Sequence, residues 1–268
     1  MSDLATILPG TTSRPAPGWR LPAWPAALLL PAAGLLLWAL AERQAWLPPG
    51  ILPAPADVWL TLRELAQSGD LASHCAWSIG RVAQGFAIGS GLGLLLGIAM
   101  ALSPRLEEYL RPTFLAVAQV PVIGWVPLLM LPLGIGEALK IVIISKAALV
   151  PVTLNTRDAI RNLPRQWLEV AAVLRYGHWQ LLRRVVLPAT VPPVFTGLRY
   201  GLTSCWKALV AVELLASSEG VGYLLVWGRQ MFQMDLVIAG ILVIAAIGLA
   251  FDAGLARVER RLQRWRAA

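Results

Sequence analysis

Apolar residues in this chain gather into runs much longer than the buried stripe of a water-exposed helix. A hydrocarbon core about 30 Å thick takes roughly 20 largely apolar helical residues to cross. Six stretches qualify: 23–41, 76–102, 113–133, 138–154, 193–216 and 236–256. The pattern predicts an all-α integral membrane protein with about six transmembrane helices. Pro121, Pro127 and Pro132 punctuate the third stretch, and only residues 134–137 separate it from the fourth. These two read as a tight hairpin of spans.

Between the fourth and fifth spans, residues 155–191 carry no spanning run, yet they keep a helical rhythm. Pro164 suits a first helical turn, and Trp167, Leu168, Ala171, Ala172 and Leu174 supply an apolar face. Gly177 permits a turn. A second short helix from His178 to Val186 presents Trp179, Leu182 and Val186 on one side, and Pro188, Pro192 and Pro193 are expected to stop it. Such an amphipathic pair lies on lipid or docks in a partner's groove, and periodicity alone does not choose.

Composition agrees with a membrane chain: 57% of residues are hydrophobic, 14% are charged, and the mean hydropathy is +0.64. The net charge of +8 does not point to nucleic acid, because the basic residues flank apolar spans instead of forming a stripe on a soluble face. Cytoplasmic loops collect Lys and Arg. With the N-terminus inside, that side holds Arg14, Arg20, Arg105, Arg111, Arg157, Arg161, Arg165, Arg175, Arg183, Arg184, Arg257, Arg260, Arg261, Arg264 and Arg266. The other side holds Arg43, Arg63 and Arg229, with Lys140 at a boundary. Both termini and the 155–191 loop are therefore expected in the cytoplasm. Residues 1–22, rich in Pro, Gly, Ser and Thr, read as a flexible cytoplasmic tail, and 23–268 as a single transmembrane domain. Ala39-Leu40-Ala41 has the form of a cleavage site, but the apolar run before it exceeds a signal core, and an uncut first helix is the better reading.

Several residues inside the spans carry information. Gly85, Gly89, Gly93 and Gly97 recur every four positions and mark a face for close helix packing. Ionisable groups in a bilayer cost several kcal/mol unless they meet a partner or water. Arg81, Arg199 and Lys146 are read as snorkelling toward span ends. Lys207 and Glu213 lie deeper; six positions apart, they do not form an i, i+4 pair, so each must look to another helix or to a wet cavity. Both are candidates for a translocation path, with Lys207 suited to an anionic solute. Cys75 and Cys205 read as free thiols.

No metal-ligand spacing, phosphate loop or nucleophile elbow is present. The sequence thus predicts no metal, no cofactor and no catalytic residues. A self-contained secondary transporter, the other transport reading, is expected to show repeated halves and acidic coupling residues. No convincing repeat occurs, and Glu213 reads as the one deep carboxylate.

The order Glu169, Ala171, a turn, then Val185-x-Leu187-Pro188 resembles the EAA loop of binding-protein-dependent ABC importer permeases of the type I fold. "LPAPADVW" before the second span, "LGIGE" at 133–137, "LNT" at 154–156 and "EGVGYL" at 219–224 resemble the branch serving aliphatic sulfonates, taurine and nitrate. Two positions depart from the motif: Arg175 stands where the family places its glycine, with Gly177 two residues later, and Val170 replaces the first alanine. The resemblance implies a coupling-helix loop at 155–191 that docks on cytoplasmic ABC ATPase subunits through Glu169, Ala171, Arg175, Gly177, Leu187 and Pro188. It also implies a periplasmic or extracellular solute-binding protein, a permease homodimer, and placement in the bacterial inner membrane. The outer segment 42–73 would be open to the delivering partner.

Overall fold

The structure is a computed structural model that describes residues 23–44, 46 and 51–262. The expected tail, 1–22, lies outside the described residues. Helix α1, Ala23–Arg43, forms a unit by itself, a 21-residue helix about 32 Å long with Pro31 inside it.

The second unit begins with α2, Pro55–Ser68, and α3, Asp70–Leu102. Gly69 sits between them in the left-handed region (φ 85°), a conformation that favours glycine, and so ends one helix and starts the next. Helix α3 therefore begins six residues before the expected span. Ser103 ends α3 and caps α4, Pro104–Gln119, by accepting the Leu106 N–H, and Pro104 occupies the first turn.

The expected straight span over 113–133 is corrected. After α4 the chain breaks, makes a short 3₁₀ turn at Val122–Trp125 and resumes as α5, Val126–Leu133, with the two arms bent by 97°. Pro121 has no N–H to continue the helix, and its ring disfavours helical geometry at Val120. The Val120 carbonyl that the break frees accepts a hydrogen bond from Lys146 Nζ at 2.9 Å, and this ammonium lies 4.9 Å from the Trp125 ring centroid. Lys146 is thus a cap on broken backbone, not a snorkelling group.

Helix α6, Glu137–Arg161, is the centre of the bundle, packed between α3 and α9, Leu187–Ala216. Its covered side chains include Ile143, Ile144, Ala148 and Val152. Val82, Ile144, Ala148, Cys205, Trp206 and Leu209 form one apolar cluster; Val126, Leu139, Ile143, Val212 and Ala216 form another. The glycine stripe of α3 lies against α6. A Cβ on Gly93 would stand 2.9 Å from Val152 Cβ, and one on Gly97 would stand 2.7 Å from the Thr153 carbonyl oxygen. At the far end of α6, Arg157 and Arg161 both pair with Glu107 of α4.

Between α6 and α9 stand α7, Arg165–Val173, and the four-residue α8, His178–Leu181. The expected stop at Pro188 is corrected. Residues Leu182–Val186 form a π turn that runs directly into α9, with Pro188 in the first turn of α9 and Pro192 and Pro193 inside it. The wider π repeat, in which the Leu187 N–H donates to the Leu182 carbonyl, is what lets the helix pass through Pro188, a residue with no N–H of its own to give to the turn before it. The connection after α9 contains α10, Val221–Gln230, which packs on α11, Met234–Leu262.

Among the described residues no strand occurs. Three stretches of the described residues are long and apolar enough to cross a membrane: Asp70–Leu102, one within His178–Gln230, and Met234–Arg261; the bent pair counts as a fourth if taken as one span. The expected spans 23–41 and 138–154 lie within helices α1 and α6. The latter owes its weaker apolar character to Lys140, Lys146 and a series of hydroxyl side chains.

Candidate functional site

Three places among the described residues hold the candidate site residues and their partners. The first is the α7–α8 hook. Glu169 is exposed on α7, while Ala171 is the one buried side chain of that helix. Around it the surface is apolar and open: Trp167 is 48% exposed, Val173 82% and Trp179 68%. A groove of about 370 Å³ runs between the hook and the start of α9, with Ala171 and Pro188 among its walls, together with Trp167, Leu174 and Tyr176. Leu187 is half exposed at the start of α9, and Gly177 precedes α8 in extended backbone (φ −68°).

The turn falls at Arg175, not Gly177. Arg175 adopts φ 52°, and the Arg175 and Tyr176 N–H groups donate back to the Ala172 and Ala171 carbonyls at 2.9 and 3.0 Å. This closes α7 with a left-handed C-terminal residue. The position where the resembling motif has glycine is the one that needs a positive φ, and here an arginine bears that strain.

The second place is the face of α9 that carries Thr196, Tyr200, Thr203 and Lys207, spaced i, i+4, i+7 and i+11. With Arg199, Asp252 and Glu259 these residues line a cavity of about 390 Å³. Arg199 grips Asp252 through two bonds, Nε to Oδ1 at 2.7 Å and Nη2 to Oδ2 at 2.8 Å. It is therefore a fork between α9 and α11, not a snorkelling group, and Asp252 is a second carboxylate within the expected spans. Lys207 is exposed and makes neither a hydrogen bond nor an ion pair with the described residues.

The third place lies at the opposite end of α6 and α9 from the hook, and sequence reasoning missed it. Arg81 is 2% exposed and Glu213 1%. Arg81 Nη1 donates to Glu213 Oε1 at 2.8 Å and to the Glu219 carbonyl at 2.8 Å, while its Nε and Nη2 take both oxygens of Glu137 at 2.7 and 2.8 Å. Ser78 Oγ donates to Glu213 and accepts the Val221 N–H. Arg81 is fully partnered and does not snorkel. Glu213, singled out as a path candidate, has its carboxylate taken up by Ser78, Arg81 and the Gly222 N–H. The signal available in the sequence was an arginine inside an apolar run, with an acid, Glu137, opening the fourth span. Among the described residues no cluster suits a metal ion, and both cysteines are free.

Helices long and apolar enough to cross a membrane, with a polar hook between two of them, are the architecture of a membrane-embedded protein. The comparisons make the class specific. The family model for the binding-protein-dependent transport system inner membrane component matches residues 89–264, and the chain belongs to that family. It is thus an ABC transporter permease. It is 38% identical to a putative aliphatic sulfonates transport permease protein, SsuC, of Bacillus subtilis, over 99% of this chain and 97% of that one. It is 33% identical to the taurine transport system permease protein TauC of Escherichia coli, over 85% and 84%. It is 28% identical to the bicarbonate transport system permease protein CmpB of Synechocystis, over 84% of each. Solved structures share the fold at low identity. The MetNI methionine ABC transporter in an inward-facing conformation aligns with TM-score 0.60 at 14% identity, over 78% of this chain and 99% of that one. An amino acid ABC transporter with histidines gives 0.63 at 15%, over 75% and 97%.

Proposed function

We propose that this permease imports a small anionic solute of the sulfonate, taurine or nitrate type, and that ATP is hydrolysed by separate cytoplasmic subunits that receive the α7–α8 hook. The observation that carries the reading is the hook itself: exposed Trp167, Val173 and Trp179 beside a groove walled by Ala171 and Pro188 form an apolar surface on a segment too polar to lie within the bilayer. Glu169, Ala171, Arg175, Gly177, Leu187 and Pro188 belong to this docking unit. The π turn makes the hook continuous with α9, so a displacement of the hook tilts a long helix instead of bending a loop.

Lys207 is the group proposed to meet the solute. An ammonium facing lipid at mid-helix costs roughly 2.5–3.5 kcal/mol, so an unpaired lysine on a stripe of hydroxyls belongs against water or a second subunit. A homodimer that brings two such stripes together, with both termini cytoplasmic and a binding protein delivering solute from outside across the bacterial inner membrane, completes the scheme. Relatives that carry sulfonate, taurine and bicarbonate by name support an anionic or zwitterionic cargo.

The test is copurification and uptake with the cognate ATPase and binding protein. Glu169→Ala is expected to release the ATPase and abolish import, while membrane insertion stays normal. Undiminished copurification would refute the docking role of the hook.

A further inference from the structure

Helix α10 is too short to span a membrane, at about 15 Å, yet its N-terminus is closed over by side chains from two other helices. The three successive N–H groups that open it are all taken: Gly220 N–H by His74 Nδ1 at 3.0 Å, Val221 N–H by Ser78 Oγ at 2.9 Å, and Gly222 N–H by Glu213 Oε2 at 2.9 Å. A buried carboxylate at this position meets the positive end of the helix dipole. The glycines are required by it, since a Cβ on Gly222 would stand 2.6 Å from Glu213 Cβ, and Gly220 adopts φ 113°. Arg81 neutralises Glu213 and ties the Glu219 carbonyl to the same point.

Glu137 is a different kind of partner. Its side chain is 47% exposed, at the edge of a cavity of about 410 Å³, and it is shared between Arg81 and Lys140, whose Nζ lies 2.8 Å from Oε1. Arg81 therefore has a sealed arm, to Glu213 and the α10 entrance, and an open arm, to the first residue of α6. From that residue α6 runs 25 residues to Arg161, where the hook connection begins.

We infer that Arg81 and Glu137 are positioning residues for transport, forming a clasp by which motion delivered at the hook end of α6 is passed at its other end to α3, α9 and α10 as one rigid unit. The inference rests on the proposed docking of the hook on an ATPase. Inside a low-dielectric bundle the sealed arm has no lower-energy partner to exchange for. The open arm reaches water and is the place where α6 parts from the others if the clasp is cut.

The cut is the double variant E137Q/K140Q, which removes one acid and one base together and leaves Arg81 and Glu213 a balanced pair. The full importer, with its ATPase and binding protein, is reconstituted in lipid nanodiscs with spin labels at positions 135 and 227, in a background with Cys75 and Cys205 replaced by alanine. In the otherwise wild-type importer the label distance is expected to stay the same with and without bound ATP. In the double variant it is expected to change between the two states. In proteoliposomes fed taurine, ethanesulfonate or nitrate, the ATP consumed per solute imported should rise about fivefold or more, with KM for the loaded binding protein unchanged. A wild-type distance that changes on ATP binding, or a double variant whose coupling ratio stays at the wild-type value, overturns the inference; lowered thermal stability with an unchanged ratio counts as the same refutation. A complex that never retains its ATPase overturns the docking proposal instead, and the clasp inference with it.

Discussion

Gly89 and Gly91 lie two residues apart on α3, at nearly the same depth, yet they face opposite surroundings. A Cβ added at Gly91 meets nothing within 4 Å, whereas at Gly89 it meets Ala148 Cβ at 2.9 Å and the Ser145 carbonyl carbon at 2.9 Å, with the carbonyl oxygen closer still. Ordinary contact begins near 3.4 Å, so α3 and α6 must part by at least about 0.5 Å to relieve the 2.9 Å contacts, and by more to clear the carbonyl oxygen, since backbone atoms cannot rotate aside as a side chain can. Overpacking of this kind costs about 1–3 kcal/mol. The helix-propensity gain from Gly to Ala, about 1 kcal/mol at most, applies to both sites and cancels in their difference. Gly89→Ala is therefore expected to be less stable than Gly91→Ala by about 1–3 kcal/mol, measured as thermal unfolding of the purified chain in one detergent. Gly91→Ala should unfold at or slightly above the wild-type midpoint. Equal midpoints for the two variants would refute the reading of the stripe as an α3–α6 contact surface.

Arg175→Gly is expected to stabilise the chain by about 0.5–1 kcal/mol, because it removes a left-handed strain of about 1–2 kcal/mol and returns part of that as unfolded-state entropy. A thermal shift assay checks the sign, and a lowered midpoint would mean that the arginine side chain contributes more than its backbone costs. Lys207→Ala is expected to cut import sharply while the complex assembles normally, and Lys207→Arg should retain more import than Lys207→Ala. Uptake by Lys207→Ala cells at the wild-type rate would remove Lys207 from the path.

What the sequence made legible follows from the solvent. Lipid demands long apolar helices, so the stretches that became α3, α9 and α11 stand out by length alone, and the polar hook between α6 and α9 stands out by contrast. The motif spacing from Glu169 to Pro188 marked the segment that forms the hook, and the arginine at the expected glycine marked where the structure has its positive φ. Charges within spans were less legible. Snorkelling is a rule about one helix and its distance from an interface, whereas Arg81, Lys146 and Arg199 were settled by partners 132, 26 and 53 positions away.

The break at 120–125 shows how the same residue type yields opposite outcomes in this chain. Pro121 ends α4, while Pro192 and Pro193 are carried inside α9. A proline frees the carbonyl four residues before it, and the helix continues only where geometry or a neighbour accommodates that loss. At α9 the preceding π turn, Leu182–Val186, already departs from the regular repeat and so accommodates Pro188. At Pro121 the adjacent carbonyl, that of Val120, is instead turned toward Lys146, and the chain leaves at 97°. Local sequence says where a helix has lost a hydrogen bond. Whether it bends there depends on what another helix offers to the groups set free, which is why prolines marked the third span as irregular without revealing its bend.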